Sequence, residues 1–219
     1  MNCLVTAGPT FEPLDQVRRL TNFSTGRLAT ELAGFLTDRG HRVTLLLGEQ
    51  ATWTGERRAS SVKTFTTTDN LRGQLQALAA DSWQAVFHAA AVSDFSFGKV
   101  WQRSRNGQLS EISAGKISTR HGALLAELVP TRKLIAELRG WYGRACLVGW
   151  KYEVDGGRPQ VLEAAVRQII ESRTDACIAN GPAYGAGFGL VSPDGTCENL
   201  TNEEALFRGL EKRASEAAR

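Results

Sequence analysis

The sequence lacks several motifs that would assign it to a familiar class of enzyme. It contains no G-x-x-x-x-G-K-[ST] phosphate loop, no G-x-S-x-G nucleophile elbow and no C-x-x-C pair. No G-x-G-x-x-G follows the first apolar run, which argues against a dinucleotide site. None of Tyr142, Tyr152 and Tyr184 has a lysine four residues later, so the tyrosine–lysine pair of short-chain dehydrogenases is missing.

Long apolar runs and strong charge are also missing. No apolar run approaches the ~18 residues that indicate a membrane helix, and no basic leader precedes the first strand pattern. The 219 residues carry 26 Lys and Arg against 23 Asp and Glu, a net charge of +3, and no basic block favours nucleic acid. The cysteines are predicted to be free thiols of a reducing compartment: Cys3, Cys146, Cys177 and Cys197. We therefore expect a cytoplasmic protein with no membrane or nucleic-acid partner.

What is present predicts a single α/β domain over residues 1–219. Hydrophobic residues make up 42% of the chain, enough for a full core. Strand and helix patterns alternate, which predicts right-handed βαβ units and a Rossmann-like, doubly wound, mostly parallel sheet. Strands are predicted at 3–7, 42–47, 61–67, 84–90, 145–150, 175–179, 188–191 and 196–200, and helices at 25–39, 69–80, 131–138, 159–172 and 202–213.

One segment breaks this alternation. Residues 96–118 are polar, contain three glycines and show no helical period, which predicts a β-hairpin flap over about 96–120. A strand at 124–128 is expected to pair with residues 109–112. Proline at position 130 is expected to begin the helix at 131–138.

The stretch LVTAGPTFEPLDQVRRLTNFSTGR, residues 4–27, predicts a site for an anionic ligand. An apolar strand ends at Gly8, and a long loop carrying Arg18, Arg19 and Asn22 then leads to a helix start at residues 24–26. The N–H groups of a helix start and two arginines suit phosphate or carboxylate. The alternative is a surface loop with solvated arginines.

Other strand ends supply further candidates, because ligands of doubly wound sheets bind at the carboxyl ends of strands. The run AAAVSDF at 89–95 contains Asp94, which either accepts from a ribose hydroxyl or base amine, holds Mg²⁺, or merely caps a helix or turn. Trp150 either stacks on a base or packs in the core. Lys116 either closes over a phosphate or is solvated. His88, inside a predicted strand, is interpreted as a core residue without a role.

Taken in order, these motifs resemble those of phosphopantothenoylcysteine synthetase, also called phosphopantothenate–cysteine ligase. The first stretch is similar to the family pattern TAGxTxEPIDxVRxIxNxSxGK, and AAAVSDF is similar to AAVADF/W. AGKIS resembles the start of the family's K-x-K-K flap, LVGWKYEVD resembles GFxxET, and CIANGPAYGAGFG resembles VANDVS…GFGSD. The resemblance extends along nearly the whole chain and is to a stand-alone form without the flavin-dependent decarboxylase.

The resemblance implies an activity. Members of this family activate the carboxylate of 4′-phosphopantothenate with a nucleoside triphosphate, usually CTP in bacteria, and the amine of cysteine then displaces the nucleotide. This is a step of coenzyme A biosynthesis. The resemblance further implies CTP or ATP as co-substrate, Mg²⁺ held mainly by the nucleotide phosphates, and a homodimer. Two alternatives stay open: a non-catalytic nucleotide-binding relative, and an NAD(P)- or flavin-binding oxidoreductase.

Residue roles follow from the same resemblance. It implies catalytic roles for Arg18, Asn22 and Lys116, and contact with the acid substrate for Arg18, Asn22 and Asn180. The implied nucleotide-binding residues are Gly8, Ser24, Gly26, Ala90, Asp94, Lys116, Trp150 and Lys151. The chain departs from the family pattern at Ser118 and Thr119, with Arg120 nearby, where lysines are usual, and at Gly181, where an aspartate is usual.

Overall fold

The structure is a computed structural model, and it describes residues 1–118 and 122–218. Thirteen strands and five helices are found in this part of the chain. The strands are β1 (Asn2–Ala7), β2 (Phe11–Pro13), β3 (Arg19–Thr21), β4 (Arg42–Gly48), β5 (Ser61–Phe65), β6 (Ala85–His88), β7 (Phe95–Arg103), β8 (Leu109–Glu111), β9 (Ala123–Pro130), β10 (Cys146–Tyr152), β11 (Ala176–Asn180), β12 (Phe188–Val191) and β13 (Cys197–Leu200). The helices are α1 (Arg27–Asp38), α2 (Thr68–Leu78), α3 (Leu134–Tyr142), α4 (Arg158–Ser172) and α5 (Glu203–Ala217).

Eight of these strands form the central sheet, in the order β13-β12-β11-β10-β6-β1-β4-β5. The six strands from β11 to β5 are parallel, and β12 and β13 continue the sheet antiparallel. This confirms the predicted Rossmann-like, mostly parallel sheet. The parallel strands follow the doubly wound order, which reverses between β1 and β6, and their carboxyl ends therefore open a crevice there.

Helices cover both faces of the sheet. Successive side chains of a strand point to opposite faces, so Leu4 and Val5 of β1 enter different cores. Val5 packs in the core that α1 and α5 cover, whereas Leu4 packs in the core that α2 and α3 cover. Helix α4 covers β11 and β12 in a third cluster. Burial on both faces explains why the parallel strands read as continuous apolar runs.

The flap is a three-stranded antiparallel sheet in the order β8-β7-β9. The predicted pairing of 124–128 with 109–112 is wrong, because both segments pair with β7 instead. A register shift between Phe97 and Val100 breaks the alternation of β7, which hides this strand in the sequence. Of the predicted flap, Thr119 and Arg120 lie outside the described residues.

Two further predictions are corrected. Residues 9–23 were expected to be a loop, yet β2 and β3 form a short hairpin there. Its turn is closed by the Asp15 carboxylate, which accepts from the N–H groups of Val17 at 2.9 Å and Arg18 at 2.8 Å. Pro130 does not begin a helix: it ends β9 opposite Phe95, and α3 starts at Leu134.

The other predicted elements are confirmed to within a few residues of their ends. The glycine turn at Gly195, between β12 and β13, has a positive φ of 84°. No helix in the described part of the chain is both long and apolar enough to span a bilayer.

Candidate active site

The crevice between β1 and β6 contains a cavity of about 590 Å³. It is bounded by the carboxyl ends of β1, β6, β10 and β11 and by the start of α1, as expected for a ligand site of this fold. Seven of the residues predicted from the sequence line it: Gly8, Asn22, Ser24, Gly26, Ala90, Trp150 and Asn180. We call this cavity the crevice.

Two glycines form one wall of the crevice. Gly8 and Gly26 have φ angles of 77° and 79°, a conformation that favours glycine. A Cβ at Gly8 would lie 2.9 Å from the Cβ of Ala51, and one at Gly26 would lie 3.0 Å from the same atom. Gly26 is also the N-cap of α1 and provides no side-chain cap; the N–H of Arg27 donates to the Thr25 hydroxyl at 3.3 Å, and the N–H groups that follow it in the first turn stay available to an anion.

Three polar side chains of the crevice differ in how they are held. The Nδ2 of Asn22 donates to the carbonyl of Ala91 at 3.1 Å, which ties the end of the hairpin to the loop after β6. The Nε1 of Trp150 and the Oδ1 of Asn180 are buried without a hydrogen-bond partner in the described residues. Because an unpaired buried polar atom is costly, one free donor and one free acceptor remain here for a ligand.

The residue after Asn180 explains one departure from the family pattern. Gly181 has a φ of 110°, and a Cβ there would lie 2.4 Å from the carbonyl oxygen of Glu153. The backbone of Glu153 is itself fixed, because its N–H donates to Asn180 at 3.0 Å. An aspartate therefore does not fit at position 181 with this backbone.

A second cavity, of about 270 Å³, adjoins the crevice and shares Ala90, Trp150 and Tyr152 with it. We call it the side cavity. Two further predicted residues line it, Asp94 and Lys151. Asp94 pairs with Lys133, and Lys151 lies 3.0 Å from Glu153.

Charge in the side cavity favours an anion. Arg132, Lys133 and Lys151 line it, against the single carboxylate of Asp94. Such an excess of cations suits the phosphates of a nucleotide. In the described residues, no group of three or more His, Cys, Asp and Glu side chains is placed to hold a metal ion.

His88 also lines the side cavity, although it is 6% exposed. Its Nδ1 lies 2.9 Å from the hydroxyl of Thr6, which is itself completely buried. Burial away from water disfavours the charged imidazolium and lowers the pKa of His88 to about 4. The side chain is therefore neutral at pH 7, and the interpretation as a satisfied core residue accounts for only one of its nitrogens.

Arg18 and Lys116 line neither the crevice nor the side cavity. The Nη2 of Arg18 donates to the carbonyl of Ile117 at 2.6 Å, and the N–H of Ile117 donates to Asp15 at 3.1 Å. The N–H of Gln16 donates to the carbonyl of Gly115 at 2.9 Å. We call these contacts between residues 15–18 and 115–117 the hairpin–flap latch.

The Asp15 carboxylate lies at the centre of the hairpin–flap latch. Hydrogen bonds from the N–H groups of Ile117 and Val17 hold the pKa of Asp15 below its usual value. The guanidinium of Arg18 lies 3.7 Å away and acts in the same direction. The side chain of Lys116, between the two anchored flap residues, is exposed to solvent. The latch thus brings Arg18 and Lys116 into one region outside the crevice.

Residues 1–214 match the family described as the C-terminal domain of DNA/pantothenate metabolism flavoproteins. The chain belongs to this family. A curated member from Thermococcus kodakarensis, the coenzyme A biosynthesis bifunctional protein CoaBC, is 31% identical over 81% of this chain and 40% of its own length. The chain therefore spans about two fifths of that relative. These matches bear out the resemblance to phosphopantothenoylcysteine synthetase found in the motifs.

Solved structures show the same fold for the family. The DNA/pantothenate metabolism flavoprotein from Streptococcus pneumoniae superposes with a TM-score of 0.84 at 24% identity, covering 99% of both chains. A Cab2 mutant in complex with phosphopantothenate-cysteine superposes with a TM-score of 0.75 at 18% identity, covering 99% of this chain and 87% of that one.

Several residues that line the two cavities are not predicted from the sequence. Arg132 and Lys133 are adjacent cations just before α3, and this pair is a signal in the sequence by which they could be found. Phe23 is fully exposed beside the crevice, next to the predicted Asn22 and Ser24. No sequence pattern marks His88, because a strand that is buried on both faces does not reveal which residue meets a cavity.

Proposed function

We propose that this chain ligates 4′-phosphopantothenate to cysteine through an acyl-nucleotide intermediate, with CTP as the expected nucleotide and ATP as the alternative. The observation that carries the proposal is that predicted residues from four separate segments line one crevice at the switch point of the sheet. Membership of the pantothenate metabolism family supports the substrate class. Because the chain spans two fifths of its curated relative, the activity of that whole protein enters here as a proposal.

In the first step the carboxylate of 4′-phosphopantothenate attacks the α-phosphorus, the bond to the β-phosphate oxygen breaks, and pyrophosphate leaves. This step brings negative groups together, so fixed cations and N–H donors lower its barrier. The N–H groups at Gly26 and the cations Lys133 and Lys151 supply such a field in and beside the crevice. We assign Arg18, Asn22 and Lys116 to the reacting groups, with Arg18 and Lys116 supplied by the two segments that the hairpin–flap latch joins.

In the second step the amine of cysteine attacks the acyl carbon and the nucleoside monophosphate leaves. The amine loses one proton, which passes to solvent or to the departing phosphate. The acyl-nucleotide is sensitive to water, so a cover over the crevice has a chemical purpose. Asn22 is suited to orient the acyl group, since its side chain already bridges the hairpin and the loop after β6.

The nucleotide, its metal ion and the assembly complete the proposal. We assign the base and ribose to Ala90, Asp94 and Trp150, and the phosphates to Gly8, Ser24, Gly26 and Lys151. Mg²⁺ would be held by the phosphates and would neutralise their charge; Asp94 is the carboxylate that lines the side cavity. A homodimer is proposed on the resemblance. Exposed apolar side chains on the flap sheet, among them Phe95, Leu128 and Val129, support it. The cytoplasmic location stays a prediction.

A direct assay tests the proposal. The protein is incubated with 4′-phosphopantothenate, Mg²⁺ and either CTP or ATP, with and without cysteine, and products are separated and weighed by mass spectrometry. We expect cysteine-dependent release of the nucleoside monophosphate together with the amide product. Nucleotide binding without turnover would instead identify a non-catalytic relative. Tight binding of NAD(P) or flavin would favour the oxidoreductase.

A further inference from the structure

Strand β6 ends in an imidazole that the proposed mechanism does not use. His88 lies at the carboxyl end of this strand, between β1 and β10, where the doubly wound sheet presents its ligands. The side chain is buried yet borders the side cavity. A buried polar ring at such a position has either a structural or a ligand-directed purpose.

The hydrogen bonds around Thr6 determine which nitrogen carries the ring proton. The N–H of Ala90 donates to the Thr6 hydroxyl oxygen at 3.1 Å, so this oxygen already acts as an acceptor. Its own proton has one acceptor within reach in the described residues, the Nδ1 of His88 at 2.9 Å. An imidazole that accepts at Nδ1 and is neutral carries its proton on Nε2. His88 therefore has an Nε2–H donor, and no described side chain or backbone group accepts from it.

The surroundings of the side cavity suit a flat heterocycle. Trp150, Ile135 and Leu134 form an apolar part of its lining, beside the charged part described above, and Gln168 adds an amide. The approach of Ile135 and Gln168 depends on Gly149, where a Cβ would lie 2.5 Å from an atom of each. An apolar wall beside the ring of His88 suits the edge of a heterocycle, while the cations of the same cavity suit the phosphates attached to it.

We propose that the Nε2–H of His88 donates a hydrogen bond to an acceptor on the nucleobase and thereby helps to determine which nucleotide the enzyme uses. The inference rests on the proposed function and adds to it a residue that selects the base. His88 is not the general base for cysteine, because the nitrogen available to a ligand already carries the proton.

The orientation of His88 makes Thr6 a positioning residue. The hydroxyl of Thr6 fixes the tautomer of the His88 ring and links this ring to the backbone of Ala90. Ala90 itself lines both cavities. Replacing Thr6 with valine keeps the shape and removes both hydrogen bonds. The donor would then be free to move to Nδ1, and base discrimination should fall while phosphate binding persists.

The first test reads the tautomer without any substitution. Nitrogen NMR of ¹⁵N-histidine-labelled protein should show a neutral ring at pH 7 that is protonated on Nε2, assigned to His88 by its absence from His88→Gln. Saturating CTP or ATP should shift this Nε2 resonance. A ring protonated on Nδ1, or a resonance that ignores every bound nucleotide, would overturn the inference.

The second test uses matched variants. His88→Leu removes the donor, whereas His88→Gln offers an amide N–H near the position of Nε2. We expect His88→Leu to change the ratio of CTP to ATP affinity on the order of tenfold, as expected for a lost hydrogen bond to a base, and His88→Gln to recover most of it. The KM for 4′-phosphopantothenate should stay constant. Folding of both variants is checked by circular dichroism.

The outcomes separate the two proposals. If the wild type binds nucleotides and His88→Leu discriminates between them equally well, the role of His88 is refuted while the ligase proposal stands. If the wild type binds no nucleotide, both fall. If His88→Leu does not fold, the NMR shift of the wild type and the discrimination by His88→Gln and Thr6→Val decide.

Discussion

The crevice and the hairpin–flap latch hold the proposed site residues by different means. Residues of the crevice lie at or beside the ends of buried parallel strands, and two of them are glycines of positive φ at which an added Cβ would lie 2.9 or 3.0 Å from the Cβ of Ala51. The latch joins two largely exposed segments about a hundred residues apart through hydrogen bonds to Asp15, Gln16 and Arg18. The proposed site residues therefore lie partly on a wall fixed by packing and partly on a latch fixed by a few polar contacts.

The largest effect is expected from breaking the fixed wall. Gly26→Val places a branched side chain at a φ of 79° and against Ala51, so the backbone at the start of α1 must move. We expect nucleotide binding to be undetectable in calorimetry and the melting temperature to fall by several degrees. Gly73→Val is the control, because a Cβ at this helical position meets no atom within 4 Å. Wild-type binding by Gly26→Val would contradict the role of this wall.

The next largest effect is expected from removing the cations of the hairpin–flap latch. Arg18→Ala and Lys116→Ala should each lower the rate of ligation by on the order of tenfold or more while the fold survives, because they remove charge from the reacting groups. Arg19→Ala is the matched control for the hairpin, and Lys99→Ala is the one for the flap. Arg19 contacts Phe11 and Glu49, whereas Lys99 pairs with Glu111. Wild-type rates in Arg18→Ala and Lys116→Ala would refute both assignments.

Lowering the pH should affect the two regions differently, beginning with the strand that carries His88. The folded pKa of His88, about 4, lies below its unfolded value of 6.5, so the unfolded state binds more protons between these values and stability falls as pH is lowered through this window. Between pH 7 and pH 5 we expect the free energy of unfolding to fall by on the order of 2 kcal/mol because of His88. Urea unfolding measures this loss, and His88→Leu should abolish it. A pH dependence unchanged in His88→Leu would be the contrary result.

The hairpin–flap latch should tolerate that pH. The folded pKa of Asp15 is lowered, so its stabilising contribution is complete above the usual value near 3.8 and is lost only as pH falls through the lowered pKa. Amide exchange of Ile117, corrected for its intrinsic pH dependence, should therefore be unchanged between pH 7 and pH 5. Loss of protection at pH 5 would mean that the Asp15 carboxylate does not hold the flap.

The smallest effect is expected from weakening the latch without removing a proposed catalytic group. Asp15→Asn keeps an acceptor for Ile117 but loses the charge beside Arg18. We expect amide exchange of residues 115–117 to rise several-fold and ligation to slow by less than in Arg18→Ala, since a hydrogen bond to a neutral group is weaker. The exposed Asp194, which closes the turn before Thr196, gives Asp194→Asn as a control.

The wall of the crevice could be predicted from the sequence better than the hairpin–flap latch, for a physical reason. Apolar strands ending at Gly8, at Ala90 and at Trp150 leave a local pattern, and the parallel sheet brings those ends together. The hairpin–flap latch depends on contacts between segments distant in sequence, such as that of Asp15 with Ile117, and no local sequence pattern predicts such contacts. The bulge in β7 further conceals the pairing of the flap strands.

His88 shows where such prediction stops within the site itself. The apolar run around it indicates a buried strand, and a lone histidine there reads as part of the core. Only the three-dimensional structure shows that one ring nitrogen contacts Thr6, 82 residues away, and that His88 borders the side cavity. A pattern along the chain gives burial but not the direction in which a polar atom points.

Gly181 limits which substitutions the end of β11 can accept. An aspartate at this position would press against the carbonyl of Glu153, whose backbone is tied to Asn180 and Ala183. The single substitution Gly181→Asp therefore does not fit this backbone unless the loop after β10 changes with it. An engineer who introduces the aspartate of the family pattern would need to redesign that loop together with it.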